Sequence, residues 1–328
     1  MNAEGRGNNP ADDDPPVLVI GGPTASGKSA LAMALAEQLG GEVINADSMQ
    51  VYRGLPILTA QPDAAAQAKV PHRLYGVLEP DERCSAGRWR TMAVAAIAAA
   101  RAGGKIPIVV GGTGLYLRAL MTGLAEIPET PPELRDRLVA RFQTIGAAAF
   151  HGDLTARDPE MAARLQPTDR QRLIRAAEVI EATGRSLADW QRETKPTLAG
   201  EAPLRFYRVL VAPPREALYA ACNGRFLAMM KRGAMAEAQV MASRGLDPAL
   251  PAMKALGLPV LRGHLRGELA LDEAIGLAQS ATRHYAKRQM TWFNRQFISE
   301  NLINEQLSDI NLHRFIPLII KYLLTETF

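Results

Sequence analysis

Gly22-Pro23-Thr24-Ala25-Ser26-Gly27-Lys28-Ser29 follows the apolar run Val17-Leu18-Val19-Ile20 and leads into the Ala/Leu-rich stretch from Ala30 to Leu39. The octet fits G-x-x-x-x-G-K-[ST] in the setting that gives that pattern meaning: a buried strand, a glycine loop and a helix start. Glycines let the backbone turn inward, so that N–H groups converge on an anion. The helix N-terminus adds unsatisfied donors and the favourable end of its dipole. Gly22, Pro23, Thr24, Ala25, Ser26, Gly27, Lys28 and Ser29 are therefore the candidate phosphate-binding residues. Lys28 supplies the cation, and the Ser29 hydroxyl is placed to hold Mg²⁺. The loop alone does not say which phosphate compound it holds.

Working outward, Glu42-Val43-Ile44-Asn45-Ala46 reads as a second strand ending at Asp47. Ile106-Pro107-Ile108-Val109-Val110 reads as a third, ending in Gly111-Gly112-Thr113. Helices at 29–39 and 88–102 lie between them, each stopped by a glycine pair. Strands alternating with helices predict a parallel α/β sheet with its ligand at the carboxyl ends of the strands. Gly22, Asp47 and Thr113 all fall at such ends, which points to one shared site. From Ile127 the texture changes: Pro128, Pro131 and Pro132 mark a linker, and helix-like stretches follow at 133–150, 158–165, 169–183 and 186–192. Phe206 to Val211 returns to the sheet. The expected organisation is a lead-in over 1–16, an α/β core over 17–125 plus 201–293, and a helical insertion over 126–200. The stretch 294–328, richer in Asn and Ile, has no functional reading.

The chain has 328 residues, 47% of them apolar, which suffices for one large or two smaller cores. A net charge of +4 and a pI near 9.1 permit a polyanionic partner without demanding one. Cys84 and Cys222 are the two cysteines, scarce enough to suggest a reducing compartment and without metal-ligand spacing. Residues 1–16 are polar, carry Asp12-Asp13-Asp14 and lack the apolar segment of a signal peptide, so a disordered lead-in is expected. No apolar run approaches the roughly 20 residues of a membrane span. A cytoplasmic protein is expected.

Asp47, in Asn45-Ala46-Asp47-Ser48-Met49-Gln50-Val51-Tyr52, is a candidate general base, or else a loop or capping aspartate. Thr113 stands where many phosphate-loop hydrolases carry an acid. A hydroxyl there polarises water poorly, which disfavours hydrolysis and favours transfer to a bound acceptor. Arg170-Gln171-Arg172-Leu173-Ile174-Arg175 puts Arg172 and Arg175 on one helix face, suited to phosphate or base edges or to a salt-bridged solvated face. Arg283 to Phe293 is a basic helix with aromatics and suits RNA, unless Trp292 and Phe293 are core. Arg225 is a candidate second cation for a pyrophosphate. His72 reads as structural.

The phosphate loop, Asp47-Ser48-Met49-Gln50-Val51-Tyr52, Gly111-Gly112-Thr113-Gly114-Leu115-Tyr116, Gln171-Arg172-Leu173-Ile174-Arg175 and Ala286-Lys287-Arg288-Gln289-Met290-Thr291-Trp292-Phe293 occur in this order. Together they resemble the bacterial tRNA dimethylallyltransferases, or isopentenyl-tRNA transferases, over about residues 17–293. The resemblance implies a P-loop NTPase-like parallel sheet flanked by helices, with the insertion as an all-helical tRNA-binding subdomain. It implies a prenyl transferase that moves the dimethylallyl group from dimethylallyl diphosphate to N6 of the adenosine 3′ of the anticodon, with Mg²⁺, as a monomer without membrane attachment. Asp47, Thr113, Lys28 and Arg225 take the catalytic roles. Asp47 accepts the N6 proton, Thr113 contacts substrate, and Lys28 and Arg225 neutralise the departing diphosphate. The same resemblance assigns tRNA contacts to Asp47, Ser48, Met49, Gln50, Arg135, Gln171, Arg172, Leu173, Ile174, Arg175, Lys254 and Gly257. An adenylate dimethylallyltransferase, an ATP-dependent phosphotransferase with the insertion as a lid, and a nucleotide-gated RNA-binding module stay open as alternatives. So does binding of ATP by the loop.

Overall fold

A computed structural model describes residues 16–125, 127–193 and 204–325. The lead-in, apart from Pro16, lies outside the described residues, as does the expected boundary near 200. The chain divides into two compact bodies, one of residues 1–121 with 202–328 and one of residues 122–201.

The larger body is built on a six-stranded parallel sheet in the order β3-β2-β4-β1-β5-β6. It begins with β1 (Val17–Gly21), α1 (Lys28–Leu39), β2 (Glu42–Asn45), α2 (Ala64–Lys69), β3 (His72–Arg73), α3 (Ala86–Ala102), β4 (Pro107–Gly111) and α4 (Gly114–Thr122). β1 and β4 are wholly buried, as expected of inner parallel strands covered on both faces. The four strands legible as apolar runs are the four inner ones. The edge strands β3 and β6 are only two and three residues long and carry no apolar run, so periodicity gave no sign of them. α1 stops at Gly40, whose left-handed backbone donates to the Ala36 carbonyl. Ser85 caps α3 through the Arg88 amide.

The smaller body is all helical: α5 (Pro132–Arg157), α6 (Pro159–Arg164), α7 (Arg170–Thr183) and α8 (Leu187–Arg192). α5 runs past the expected end at 150, with a break at Gly146 whose φ is 79°. The body has its own core of Leu138, Phe150, Leu154, Leu173 and Ala177, each at most 1% exposed.

The chain then returns to the sheet with β5 (Phe206–Val211), followed by α9 (Arg215–Lys231), α10 (Ala234–Ser243), α11 (Leu258–Leu265) and α12 (Leu271–Gln296). The stretch after 293 is part of the larger body. β6 (Asn301–Ile303) pairs with β5, and α13 (Ile316–Thr325) buries Ile316 and Ile319 in the same core as Leu31 and Leu35 of α1.

Candidate active site

The phosphate loop runs from the end of β1 into α1. Gly27 has φ 90°, a conformation only glycine adopts without strain, and Ala25 is left-handed at φ 64°. Residues far along the chain hold this shape. The Gln306 amide donates to the Ala25 carbonyl at 2.8 Å, and the Leu307 N–H donates to the Ser26 carbonyl at 3.3 Å. A Cβ on Gly27 would lie 2.5 Å from that of Leu307. The Ser26 hydroxyl is wholly buried and has no protein partner, an orphaned donor within the cradle.

Lys28 is 8% exposed, and its ammonium donates to the Pro23 carbonyl at 3.1 Å. Burial brings its pKa down to about 8, with Asp47 opposing the shift and Arg225 adding to it. Burial also lowers the Arg225 pKa, and that guanidinium donates to the Thr24 hydroxyl at 3.2 Å. Asp47 opens the loop after β2. Its backbone N–H donates to Asn45 Oδ1 at 2.7 Å, and its Oδ1 accepts from the Met49 N–H at 2.9 Å. Thr113 braces this loop, since its hydroxyl accepts from the Ser48 N–H at 2.9 Å. Tyr285 and Tyr75 have their hydroxyl pKa values raised by burial and then by the Asp47 charge.

Thr24, Lys28, Ser29, Asp47 and Arg225 line a single cavity of about 390 Å³, together with the apolar Ala60, Val110, Ala228 and Met229. Cations, a carboxylate and a short apolar wall in one concavity suit an anion with a small hydrocarbon attached. The cavity brings together the loop, Asp47 and Arg225 as the sequence predicts. Thr113 does not line it. Its hydroxyl is engaged by the Asp47 loop, where it accepts from the Ser48 N–H. Gln50 also lines the cavity, with its amide donating to the Thr59 and Ala60 carbonyls at 2.9 Å. Lys254 is exposed, while Gly257 is a buried turn with φ 88° against Phe226; neither lines the cavity.

In the smaller body, Gln171 and Arg172 are exposed, and Arg172 reaches only Asp169, at 3.8 Å. Arg135 and Arg175 both pair with Glu178, whose side chain is 5% exposed, at 3.1 and 3.2 Å. Leu173 and Ile174 were expected at tRNA, but their side chains are buried in this body's core. They set the spacing of their neighbours rather than offering surface. On α12, His284, Lys287 and Arg288 are exposed, whereas Phe293 is core and Trp292 covers Gly114.

Sequence reasoning missed Asn45, Gln289 and the 306–307 strap. Asn45 left a usable signal, a polar residue closing a buried apolar strand. Gln289 lay inside a quoted motif but bonds residues 177 and 265 positions away, which no local pattern announces.

The depressed Lys28 pKa gives a pH signature. In the unliganded fold Lys28 loses its proton near pH 8, whereas an exposed lysine does so near 10.4. The unfolded chain therefore binds more protons between those values, and stability rises with pH across that window. A bound diphosphate favours the charged ammonium. Pyrophosphate binding should thus take up a proton above pH 8 and lose up to about tenfold in affinity between pH 7 and 9, relative to Lys28→Met. Calorimetry in buffers of different ionisation enthalpy checks this, and equal slopes in the two proteins would sink it.

A family profile described as IPP transferase matches residues 50–296, and one described as Isopentenyl transferase matches 15–79. A tRNA dimethylallyltransferase of Rhodospirillum centenum is 57% identical over 281 residues, 86% of this chain and 89% of that one. That of Nitrobacter hamburgensis is 50% identical over 95% of this chain and 98% of its own. Among solved structures, the full-length tRNA isopentenylpyrophosphate transferase of Bacillus halodurans superposes with a TM-score of 0.67 at 31% identity, covering 96% of this chain and 98% of that one. A eukaryotic dimethylallyltransferase acting on tRNA gives 0.80 at 26% identity over 95% and 80%.

Proposed function

Because this chain belongs to the IPP transferase family, we propose that its cavity holds dimethylallyl diphosphate for transfer to the N6 of the adenosine 3′-adjacent to the anticodon of a tRNA. The protein is a prenyl transferase that modifies tRNA. The observation that carries the residue assignment is the placing of Lys28, Arg225 and Asp47 on one cavity. The C1–O bond to diphosphate breaks as the N6–C1 bond forms. The N6 proton passes to the Asp47 carboxylate, and the leaving diphosphate collects its charge on the loop N–H groups, Lys28 and Arg225. An allylic carbon ionises readily, so stabilising the departing charge should matter most. The products are N6-isopentenyladenosine and diphosphate.

The described residues contain no cluster of three or more His, Cys, Asp or Glu side chains that could hold a metal. Ser29 is exposed on the cavity wall and Asp47 belongs to the same lining, a sparse oxygen set that suits Mg²⁺ carried on substrate phosphates. When bound, Mg²⁺ would neutralise diphosphate charge. Among the described residues no helix is long and apolar enough to cross a membrane, and a tRNA acceptor supports the reading of a cytoplasmic enzyme.

The target base must leave the anticodon-loop stack, at a cost of a few kcal/mol. We assign part of the grip on the stem-loop to Gln171, Arg172 and Arg175. Arg172→Ala should weaken tRNA binding and lower the slope of log affinity against log salt by about one. An unchanged slope removes Arg172 from phosphate contact.

The test of function is incubation with unmodified tRNA, dimethylallyl diphosphate and Mg²⁺, then digestion to nucleosides and mass spectrometry, with AMP replacing tRNA in a parallel tube. Isopentenyladenosine from tRNA alone is expected. Product from AMP alone would reassign the acceptor.

A further inference from the structure

We infer that Gln289 is a positioning residue that locks the leaving-group cradle to the loop carrying the general base. It sits on α12, 5% exposed, and both ends of its side-chain amide are in use. Oε1 accepts from the Thr24 N–H in the phosphate loop at 2.8 Å. Nε2 donates to the Gly112 carbonyl, also at 2.8 Å. These two bonds fix the amide in one orientation, since the flipped amide would set donor against donor and acceptor against acceptor.

The bridge continues on the far side. Gly112 is followed by Thr113, whose hydroxyl accepts from Ser48 N–H beside Asp47. A run of hydrogen bonds and one peptide link therefore joins Thr24 at the cradle to the Asp47 loop through a single side chain. The surroundings are shaped to admit it. A Cβ on Gly112 would lie 2.2 Å from the Gln289 nitrogen. Neighbouring α12 residues cover the adjacent glycines in the same way: Trp292 over Gly114 and Phe293 over Gly21. α12 thus underlies the ends of β1 and β4, and Gln289 is the point at which it contacts both loops by hydrogen bonds.

Gln289 does not line the cavity, so it acts through the two loops and not on substrate. Transfer needs the allylic carbon, held by its diphosphate, aligned with an amine whose proton faces Asp47. Displacements of about 1 Å in such an arrangement cost on the order of 100-fold in rate. The inference rests on the transfer reaction proposed above.

Gln289→Met keeps most of the volume and removes both hydrogen bonds. Gln289→Glu keeps the acceptor for Thr24 and loses the N–H donor to Gly112. Both variants are expected to lower kcat roughly 10- to 100-fold while leaving the KM for tRNA within about twofold. Pyrophosphate affinity should fall in Gln289→Met, and fall further in Gln289→Glu, whose carboxylate adds negative charge beside the cradle and faces the Gly112 carbonyl. Circular dichroism and thermal melts report folding. A folded Gln289→Met with wild-type kcat overturns the inference, as does a kcat loss that only tracks the folded fraction. If Gln289→Met does not fold, wild-type kcat in Gln289→Glu overturns it equally. Wild-type protein that is inactive on tRNA would instead count against the proposed reaction. In that case the pyrophosphate comparison still decides whether Gln289 holds the cradle.

Discussion

Asp47→Ala and Asp47→Asn should each lower the rate of dimethylallyl transfer by roughly 10²- to 10⁴-fold, the range for a lost acid–base group. The two substitutions separate two roles. Asp47 Oδ1 accepts from the Met49 N–H, so alanine removes a loop bond along with the carboxylate. Asparagine keeps an oxygen in that place and loses only the ability to take a proton at neutral pH. Equal losses in the two variants therefore assign the effect to proton transfer. Pyrophosphate binding should stay level or tighten, because a negative charge that acts on Lys28 and Arg225 has been removed from the cavity wall. Single-turnover rates with tRNA and calorimetry with pyrophosphate measure both quantities. Wild-type turnover in Asp47→Asn would falsify the assignment of the base.

Ending the chain at Phe297 should have a larger effect still, on folding itself. Ile303, Leu307, Leu312, Ile316, Ile319 and Leu323 are each no more than 5% exposed. Burial of side chains of this size contributes on the order of 10 kcal/mol in total, comparable with the whole stability of an ordinary domain. The truncation would also bare the edge of β5, a row of unpaired backbone groups that invites association with other chains. The shortened protein is expected in the insoluble fraction. Gln306→Ala in the full chain should stay soluble and lose the side-chain bonds to the Ala25 and Leu307 carbonyls, which raises the KM for dimethylallyl diphosphate. A soluble truncated protein with a wild-type melting temperature would show that this stretch is dispensable to the fold.

What the sequence made legible follows from the range of the interactions involved. The phosphate loop, the inner strands and the helical insertion announce themselves through neighbours within a few residues: apolar runs, glycine stops, prolines. The ends of β1, β2 and β4 could be brought together from the rule that parallel strands present their carboxyl ends to ligand, which placed the loop and Asp47 on one site. Thr113 came with them, although its hydroxyl turned out to face the Asp47 loop. What stayed hidden depends on pairs distant in sequence. Gln289 looks like any polar residue on a basic helix until Thr24 and Gly112 are seen against it. Glu178 looks like one more acid on a charged helix, yet it is the buried centre on which Arg135 and Arg175 meet. The stretch beyond 293 offers Asn, Ile and Leu without a motif, and its strand is too short to declare itself.

The strap at Gln306 and Leu307 bears on the order in which the molecule can be made. The ribosome produces the phosphate loop early, but the residues that hold Ala25 and Ser26 in place come almost three hundred positions later. Domains fold as they emerge, N-terminal parts first, so β1 to β5 can assemble while the loop still lacks its support and β5 lacks its neighbour. During that interval the nascent chain holds nearly every residue of the active site in an unfinished cradle. A message cut short before the codons for Gln306 and Leu307 would leave the protein permanently at that stage. Catalytic competence should therefore arrive abruptly, with the 306–307 strap, rather than grow as the sheet fills in.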